Sequence, residues 1–254
     1  MTTSVGVPAS GGQVAGVVGD QTRAAGSGGA GVIELKSTTA AGYPGGVPAP
    51  QWFDGVYRAA SGDAAAVPWA NLRPNPMMVA WLNAQAPGLV RPGSRVVVVG
   101  CGLGDDVSEL ACRGYDVVGF DISPTAVEWA RRRFPSLASA IIQADLLALP
   151  PRLLRRFDLV VEIYTLQALP PDLREQAAPA VASLASPRGH VLTIAAARAP
   201  DEPLDAAAGP PWPLSAPELT SLMEHAGMRP ARPVEDFFDD EDPPTRRLRG
   251  LFSR

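Results

Sequence analysis

Residues 96–106 read VVVVGCGLGDD, and the next apolar run, YDVVGFD, ends on Asp121. Four consecutive valines make a strand buried on both faces. That strand runs straight into Gly100, Cys101, Gly102 and Gly104. Glycines at this spacing let the backbone turn sharply and let a ligand come closer than any Cβ allows. The helix that follows points its free N–H groups toward whatever lies on the loop. A carboxylate at the end of the second strand is placed to accept hydrogen bonds from ribose hydroxyls. A further acid, Asp145, closes the third strand in Gln143-Ala144-Asp145, where an adenine amino group could donate to it. The chemistry these residues suit is the holding of a nucleoside-containing cofactor. Glu162, Tyr164 and Gln167 follow the fourth strand, at the mouth where a substrate would enter.

The elements that position these groups are legible as a pattern. The first strand is Arg95–Val99, and its helix, with Val107, Leu110 and Ala111 on one face, stops at Gly114. A second strand, Val117–Asp121, leads to Ser123 and Pro124, a capping residue followed by proline at the first helical position. A third strand fits 139–144, a fourth Phe157–Ile163 and a fifth His190–Ala195. Between the last two, 171–184 has helical spacing, with Pro179 expected to kink or split it. Residues 214–226 read as a helix closed by Gly227. Two final strands, 234–238 and 247–252, flank the acidic turn 239–244, expected to be a solvated turn that keeps an edge hairpin soluble. Alternating strands and helices argue an α/β fold with a mostly parallel sheet covered on both faces.

Ahead of the first strand, residues 51–90 form a helical cover. Trp52, Phe53, Val56 and Tyr57 recur at helical spacing, and a second helix fits 76–85 with Met77, Met78, Trp81 and Leu82 near one face. Residues 1–50 are rich in Gly, Ala, Ser and Thr and carry no helical or strand period, although 31–35 could order locally. Such a segment cannot bury enough apolar surface to offset its chain entropy and is expected to be a flexible tail.

The 254 residues suffice for one large domain, 51–254, behind that tail. The net charge is −4, Lys36 is the lone lysine, and no basic face for nucleic acid stands out. Cys101 and Cys112, His190 and His225 lack metal-ligand spacing, so no metal is expected. No apolar run approaches the ~20 residues of a membrane span. With no secretory pattern at the start, a soluble cytoplasmic protein is the default expectation.

The glycine loop separates two cofactor classes. A dinucleotide fingerprint needs its third glycine three positions after the second; here Gly104 comes one position early, and Asp105 stands where Gly or Ala belongs. No second α/β half follows the fifth strand to hold a nicotinamide. Both points count against an NAD(P)-dependent Rossmann oxidoreductase.

From about Gln51 to its end the chain resembles the class I S-adenosylmethionine-dependent methyltransferases. The likeness rests on VVVVGCGLGDD, GFDIS at 119–123, QAD at 143–145, FDLVVE at 157–162 and the final strand pair. Within that class it looks most like the thiopurine and halide/thiol methyltransferase branch, on WFDGVY at 52–57, PW at 68–69, GCGLGDD and DISPTAVEWA at 121–130. Many class members carry an acid where this chain has Val98; that branch often lacks it too.

The resemblance implies a Rossmann-like, doubly wound, mostly parallel seven-stranded sheet with an antiparallel C-terminal hairpin. It implies that the backbone of Gly100, Cys101, Gly102 and Gly104 lies along the methionine moiety and sugar of S-adenosylmethionine. Asp121 would take both ribose hydroxyls and Asp145 the adenine amino group, with Ile122 and Leu146 against the ring. Glu162 would face the methionine end. Trp69 would belong to an aromatic lid over the sulfonium and the acceptor. The reaction implied is an in-line displacement onto a small-molecule acceptor that releases S-adenosylhomocysteine. For an oxygen or nitrogen acceptor, Glu162 or Tyr164 would take the proton. The remaining alternative is a non-catalytic S-adenosylmethionine-binding partner protein, against which the intact Asp121 and Asp145 argue. Acceptor atom and oligomeric state stay open at this point.

Overall fold

The computed structural model describes residues 50–205 and 209–254, together with Met1. Apart from Met1, all of these lie in one compact unit, Glu34–Arg254. The expected tail and its 31–35 stretch fall outside the described residues, except Pro50, which opens the first helix.

The elements in chain order are α1 (Pro50–Ala60), α2 (Pro76–Ala84), β1 (Arg95–Val99), α3 (Asp105–Cys112), β2 (Asp116–Asp121), α4 (Pro124–Arg133), β3 (Ile141–Gln143), β4 (Phe157–Ile163), α5 (Thr165–Ala168), α6 (Pro171–Leu184), β5 (Ala185–Ala196), α7 (Ala216–His225), β6 (Arg229–Pro230), β7 (Glu235–Phe238) and β8 (Arg246–Ser253). The sheet order is β3-β2-β1-β4-β5-β8-β6, with β7 also pairing β8. β1 to β5 are parallel and β8 runs antiparallel to β5. The sheet therefore has eight strands rather than seven. The added one, β6, is a two-residue pairing too short to leave a periodic signal.

Chain order reverses direction between β1 and β4. In an open α/β sheet the crevice outside the carboxyl ends of the strands at such a switch point is where ligands bind. Val99 is the register partner of Glu162 across that switch, so the glycine loop and the end of β4 emerge side by side.

Each face of the sheet carries its own core. One gathers Val97, Val99, Phe120 and Val160 against α6 and α7; the other gathers Val96, Val98, Leu159 and Val161 against α2, α3 and α4. Local chemistry sets the helix starts. The Asn75 side chain accepts from the amides of Met77 and Met78, and that of Ser123 from Ala126. Ser215 and Glu218 form a reciprocal capping box on α7. Pro179 neither ends nor splits α6, which runs unbroken from Pro171 to Leu184. The proline ring is exposed, while Ala177, Ala178, Val181, Ala182 and Leu184 on the other side are fully buried. Tertiary packing holds the turn that lacks its amide donor.

One connection is irregular. From β3 to β4 the chain passes through two single 3₁₀ turns, Leu146–Ala148 and Pro151–Leu153, with no crossover helix. Pro150 and Pro151 stand in the middle of that connection, where proline excludes helix continuation. No helix among the described residues is long and apolar enough to cross a membrane.

Candidate cofactor and acceptor site

The chain leaves β1 through three left-handed glycines: Gly100 at φ 60°, Gly102 at 50° and Gly104 at 87°. A Cβ on Gly100 would lie 2.5 Å from Thr165 Oγ1, and one on Gly102 would lie 3.1 Å from the Tyr57 hydroxyl oxygen. Backbone there runs in contact with α5 on one side and α1 on the other, a path that side chains would block. The loop is clamped from behind. Arg133 donates to both oxygens of Asp105, at 2.7 Å each, and to the Leu103 carbonyl at 2.7 Å. Cys101 is buried beside it, and burial pushes its thiol pKa up, so it sits as a neutral thiol rather than a nucleophile.

Asp121, at the end of β2, reaches the loop directly. Its Oδ2 accepts from the Gly102 amide and its Oδ1 from the Ser123 amide, each at 2.9 Å. Burial drives the carboxyl pKa up, and the amides of Ser123, Gly102 and Ile122 oppose the shift. Ser123 then joins three elements. Its amide donates to Asp121, its hydroxyl caps α4, and the same hydroxyl donates to Asp54 Oδ1 of α1 at 2.8 Å. Asp54 also accepts from the Thr125 amide at 3.1 Å, so α1 is fastened at the N-terminus of α4.

That fastening seats an aromatic cover on the glycine loop. Tyr57 is buried, and its hydroxyl accepts from Trp69 Nε1 at 2.7 Å. Trp69 packs against Trp52, Phe53 and Tyr57, with ring centroids 5.8 to 6.4 Å apart. Trp69 is itself 38% exposed, so it forms the rim of the cover rather than its core.

Asp145 lies two residues past Gln143, the register partner of Asp121. Half-buried, it accepts from the Leu147 amide at 2.8 Å, which leaves its other oxygen for a ligand. Leu146 is buried and Ile122 half-buried nearby in the fold, at the ends of β3 and β2. Gly100, Cys101, Gly102, Gly104, Asp121, Ile122 and Trp69 thus belong to one cluster around the loop and its cover, and Asp145 and Leu146 stand at the neighbouring strand end. The residues fit a nucleoside sulfonium: a glycine turn with exposed backbone at the end of β1, a buried carboxylate beside it and aromatic side chains packed against it.

Glu162 and Tyr164 diverge. Glu162 is 1% exposed, and its Oε1 accepts from the Leu166 amide at 2.9 Å, capping α5 on the α6 side of the sheet. Its Oε2 is buried with no partner among the described residues. Burial raises its pKa to about 7, against the pull of the α5 amides and of Arg174. The folded protein therefore holds a proton that the unfolded chain releases near pH 4.5. Stability from this group is full below that pH and lost as pH rises to about 7. Glu162→Gln should remove the dependence: from pH 5 to pH 8 the variant should gain on the parent by up to roughly 3 kcal/mol. Thermal denaturation across that range checks this, and a constant difference would assign the titration elsewhere.

Tyr164 turns to the opposite face, at φ 64°, a left-handed conformation that a bulky residue adopts at a cost of about 1–3 kcal/mol. The Arg247 guanidinium lies 5.4 Å from its ring centroid. Arg247 is buried between Asp239 at 2.7 Å and Glu241 at 3.2 Å, and Glu241 reaches Arg73 at 4.0 Å. The acidic turn is thus not merely solvated. The Asp239 side chain is buried against Arg247 of β8, with only 6% of it exposed. Next to this wall, the Asn75 backbone N–H donates to Asp106 Oδ1 at 2.7 Å, and burial lifts the Asp106 pKa to about 6.

Asp54, Arg174 and Arg247 carry this architecture without a sequence signal, and Asp106 with a weak one. Each acts through a partner 31 to 71 residues away, apart from the close Arg247 pairs. The position of Asp106 in GCGLGDD is the one local hint.

The family model described as Thiopurine S-methyltransferase (TPMT) matches residues 63–247. Over 168 residues the chain is 30% identical to Probable thiol methyltransferase 2 of Arabidopsis thaliana, covering 64% of this chain and 69% of that protein. Over 148 residues it is 32% identical to a thiopurine S-methyltransferase of Xanthobacter autotrophicus, covering 52% and 67%. In three dimensions it is similar to 1,6-didemethyltoxoflavin-N1-methyltransferase of Burkholderia thailandensis, solved with 1,6-didemethyltoxoflavin and S-adenosylhomocysteine. That TM-score is 0.61 at 19% identity, over 81% of this chain and 90% of the other, and speaks to the fold alone.

Proposed function

This chain belongs to the thiopurine S-methyltransferase family, and from that premise we propose that it methylates a small, soft or planar acceptor, with a thiol as the leading class. The enzyme is an S-adenosylmethionine-dependent methyltransferase, and S-adenosylhomocysteine is its second product. The bound donor supplies a methyl group already activated by its sulfonium, for in-line displacement by the acceptor. The protein contributes proximity and alignment, an effect worth about 7–11 kcal/mol in well-oriented systems. Asp121 holds the ribose hydroxyls, Asp145 accepts from the adenine amino group, and the glycine loop takes the methionine moiety at backbone distance. Tyr164, at the end of β4, faces the acceptor; Glu162 supports it from beneath by anchoring α5. A thiolate needs no strong base, which suits a mouth whose buried acids pair with backbone amides.

The observation that carries this reading is the seat of the Tyr57–Trp69 cover on Gly102. Aromatic faces suit flat or polarisable ligands and a sulfonium cation. Cations around that mouth are already neutralised: Arg58 by Asp54, Arg73 by Glu241, Arg247 by Asp239 and Glu241, and Arg249 by Glu235. A nucleic acid would find little there for its phosphates.

The test is a panel of thiols, phenols, amines and halides with labelled donor. A thiol should be methylated; robust labelling of RNA, DNA or intact protein with no small molecule accepted would sink the reading. Trp69→Ala should lower turnover and acceptor affinity by roughly threefold to tenfold, the scale of one lost aromatic contact. Its S-adenosylhomocysteine affinity, measured calorimetrically, should change less.

A further inference from the structure

We propose that the protein has a second binding site, for a small phosphate monoester with a flat apolar body, at the end of the sheet opposite the glycine loop. A cavity of about 310 Å³ opens there. Three arginines line it: Arg95, the first residue of β1, Arg152 in the 3₁₀ turn Pro151–Leu153, and Arg156, directly before β4. Its one carboxylate is Asp116, at the start of β2, so the lining carries a formal charge of +2 from three cations and one anion.

The cavity exists because β3 joins β4 without a crossover helix. Val118 and Ile142 point to the face that α6 and α7 cover elsewhere, yet remain only half-buried. With Phe157 they give the cavity an apolar side. In an α/β sheet that surface is ordinarily closed by the connecting helix.

The guanidinium groups are the second observation. Several other arginines are satisfied by carboxylates, as at Arg113, Arg133, Arg174, Arg198, Arg246, Arg247 and Arg249, while Arg91, Arg188 and Arg229 stand singly without one among the described residues. The side chains of Arg95, Arg152 and Arg156 have no ion pair and no hydrogen bond among the described residues. Arg155, between the latter two, is held at φ 55°, a conformation that persists only where the surroundings enforce it. Three unpaired cations around one opening raise the local potential, and the planar guanidinium matches phosphate oxygens bidentately. A phosphate monoester brings about −1.5 to −2 charge at pH 7, which matches the lining. At this volume the site is of small-molecule size.

The experiment uses phenyl phosphate titrated calorimetrically into the full-length protein saturated with S-adenosylhomocysteine, so that the donor cleft is blocked. One saturable site per chain is expected, with inorganic phosphate at least tenfold weaker because it leaves the apolar side uncovered. The double exchange Arg152→Gln with Arg156→Gln, at two exposed positions, should weaken phenyl phosphate at least tenfold. It should leave melting temperature and S-adenosylhomocysteine affinity as they were. No saturable binding, equal affinity for the two phosphates, or binding untouched by the double exchange would overturn the proposal.

Discussion

Asp121→Ala is expected to weaken S-adenosylhomocysteine binding by about 10- to 100-fold, since hydrogen bonds to a charged group contribute roughly 1.5–3 kcal/mol. The same substitution strips the Gly102 and Ser123 amides of their acceptor, so the loop and the α4 cap both loosen. The stability of the free enzyme should fall less than the affinity. Burial already disfavours the Asp121 charge, and deleting it relieves that desolvation while removing the proposed ligand contact outright. Asp121→Asn sharpens the test. It keeps the size but offers an NH₂ where one backbone amide needs an acceptor, so it should bind no better than the alanine variant. Calorimetric titration checks both, and unchanged affinity in either would remove Asp121 from the site.

Arg174→Met should cost the fold heavily in stability. The Arg174 side chain is 1% exposed, yet it donates to the Leu166 carbonyl at 3.1 Å, to Glu218 at 2.7 Å and to the Trp212 carbonyl. Glu218 in turn holds Arg198 at 3.0 Å and closes the α7 capping box. One guanidinium thereby links α5, α6, α7 and the segment before α7. Breaking a buried pair from one side costs about 3–5 kcal/mol, because the partners are left unpaired in a dry interior. For a domain of this size that corresponds to roughly 6–20 °C in melting temperature. Glu218→Gln should cost less, since Glu218 is 24% exposed and water reaches it. A melting temperature within 2–4 °C of the parent, about 1 kcal/mol, would show that the triad is not what joins these helices.

What could be read from the chain was what depends on neighbours in sequence. VVVVG announces a buried strand ending in a turn because β-branching and glycine act within one or two residues. The acids at 121 and 145 follow from their places at strand ends, and Ser123-Pro124 marks a helix start for the same local reason. The cover helices were visible as an aromatic and methionine periodicity. What decides their seat was not, because Asp54 meets Ser123 across 69 residues and Asn75 meets Asp106 across 31. The expectation of a kink or break at Pro179 failed where packing on the buried side outweighed one missing backbone bond. In sequence a turn of acids looks the same whether or not a buried arginine waits beneath it, so the burial of the Asp239 side chain leaves no local sign. Glu162 and Tyr164 stand two residues apart, yet the left-handed turn at Tyr164 sends them to opposite faces, and nothing in EIYT forecasts φ 64°.

The junction at Ser123 also sets a timetable for synthesis. Asp54 leaves the ribosome 69 residues ahead of the hydroxyl that will hold it, an interval of roughly 3–14 s at about 5–20 residues per second. Throughout that wait Trp52, Phe53 and Tyr57 precede the surface on which they rest. The part of the domain made first is therefore among the last to find its place, waiting until the end of β2 has followed it out.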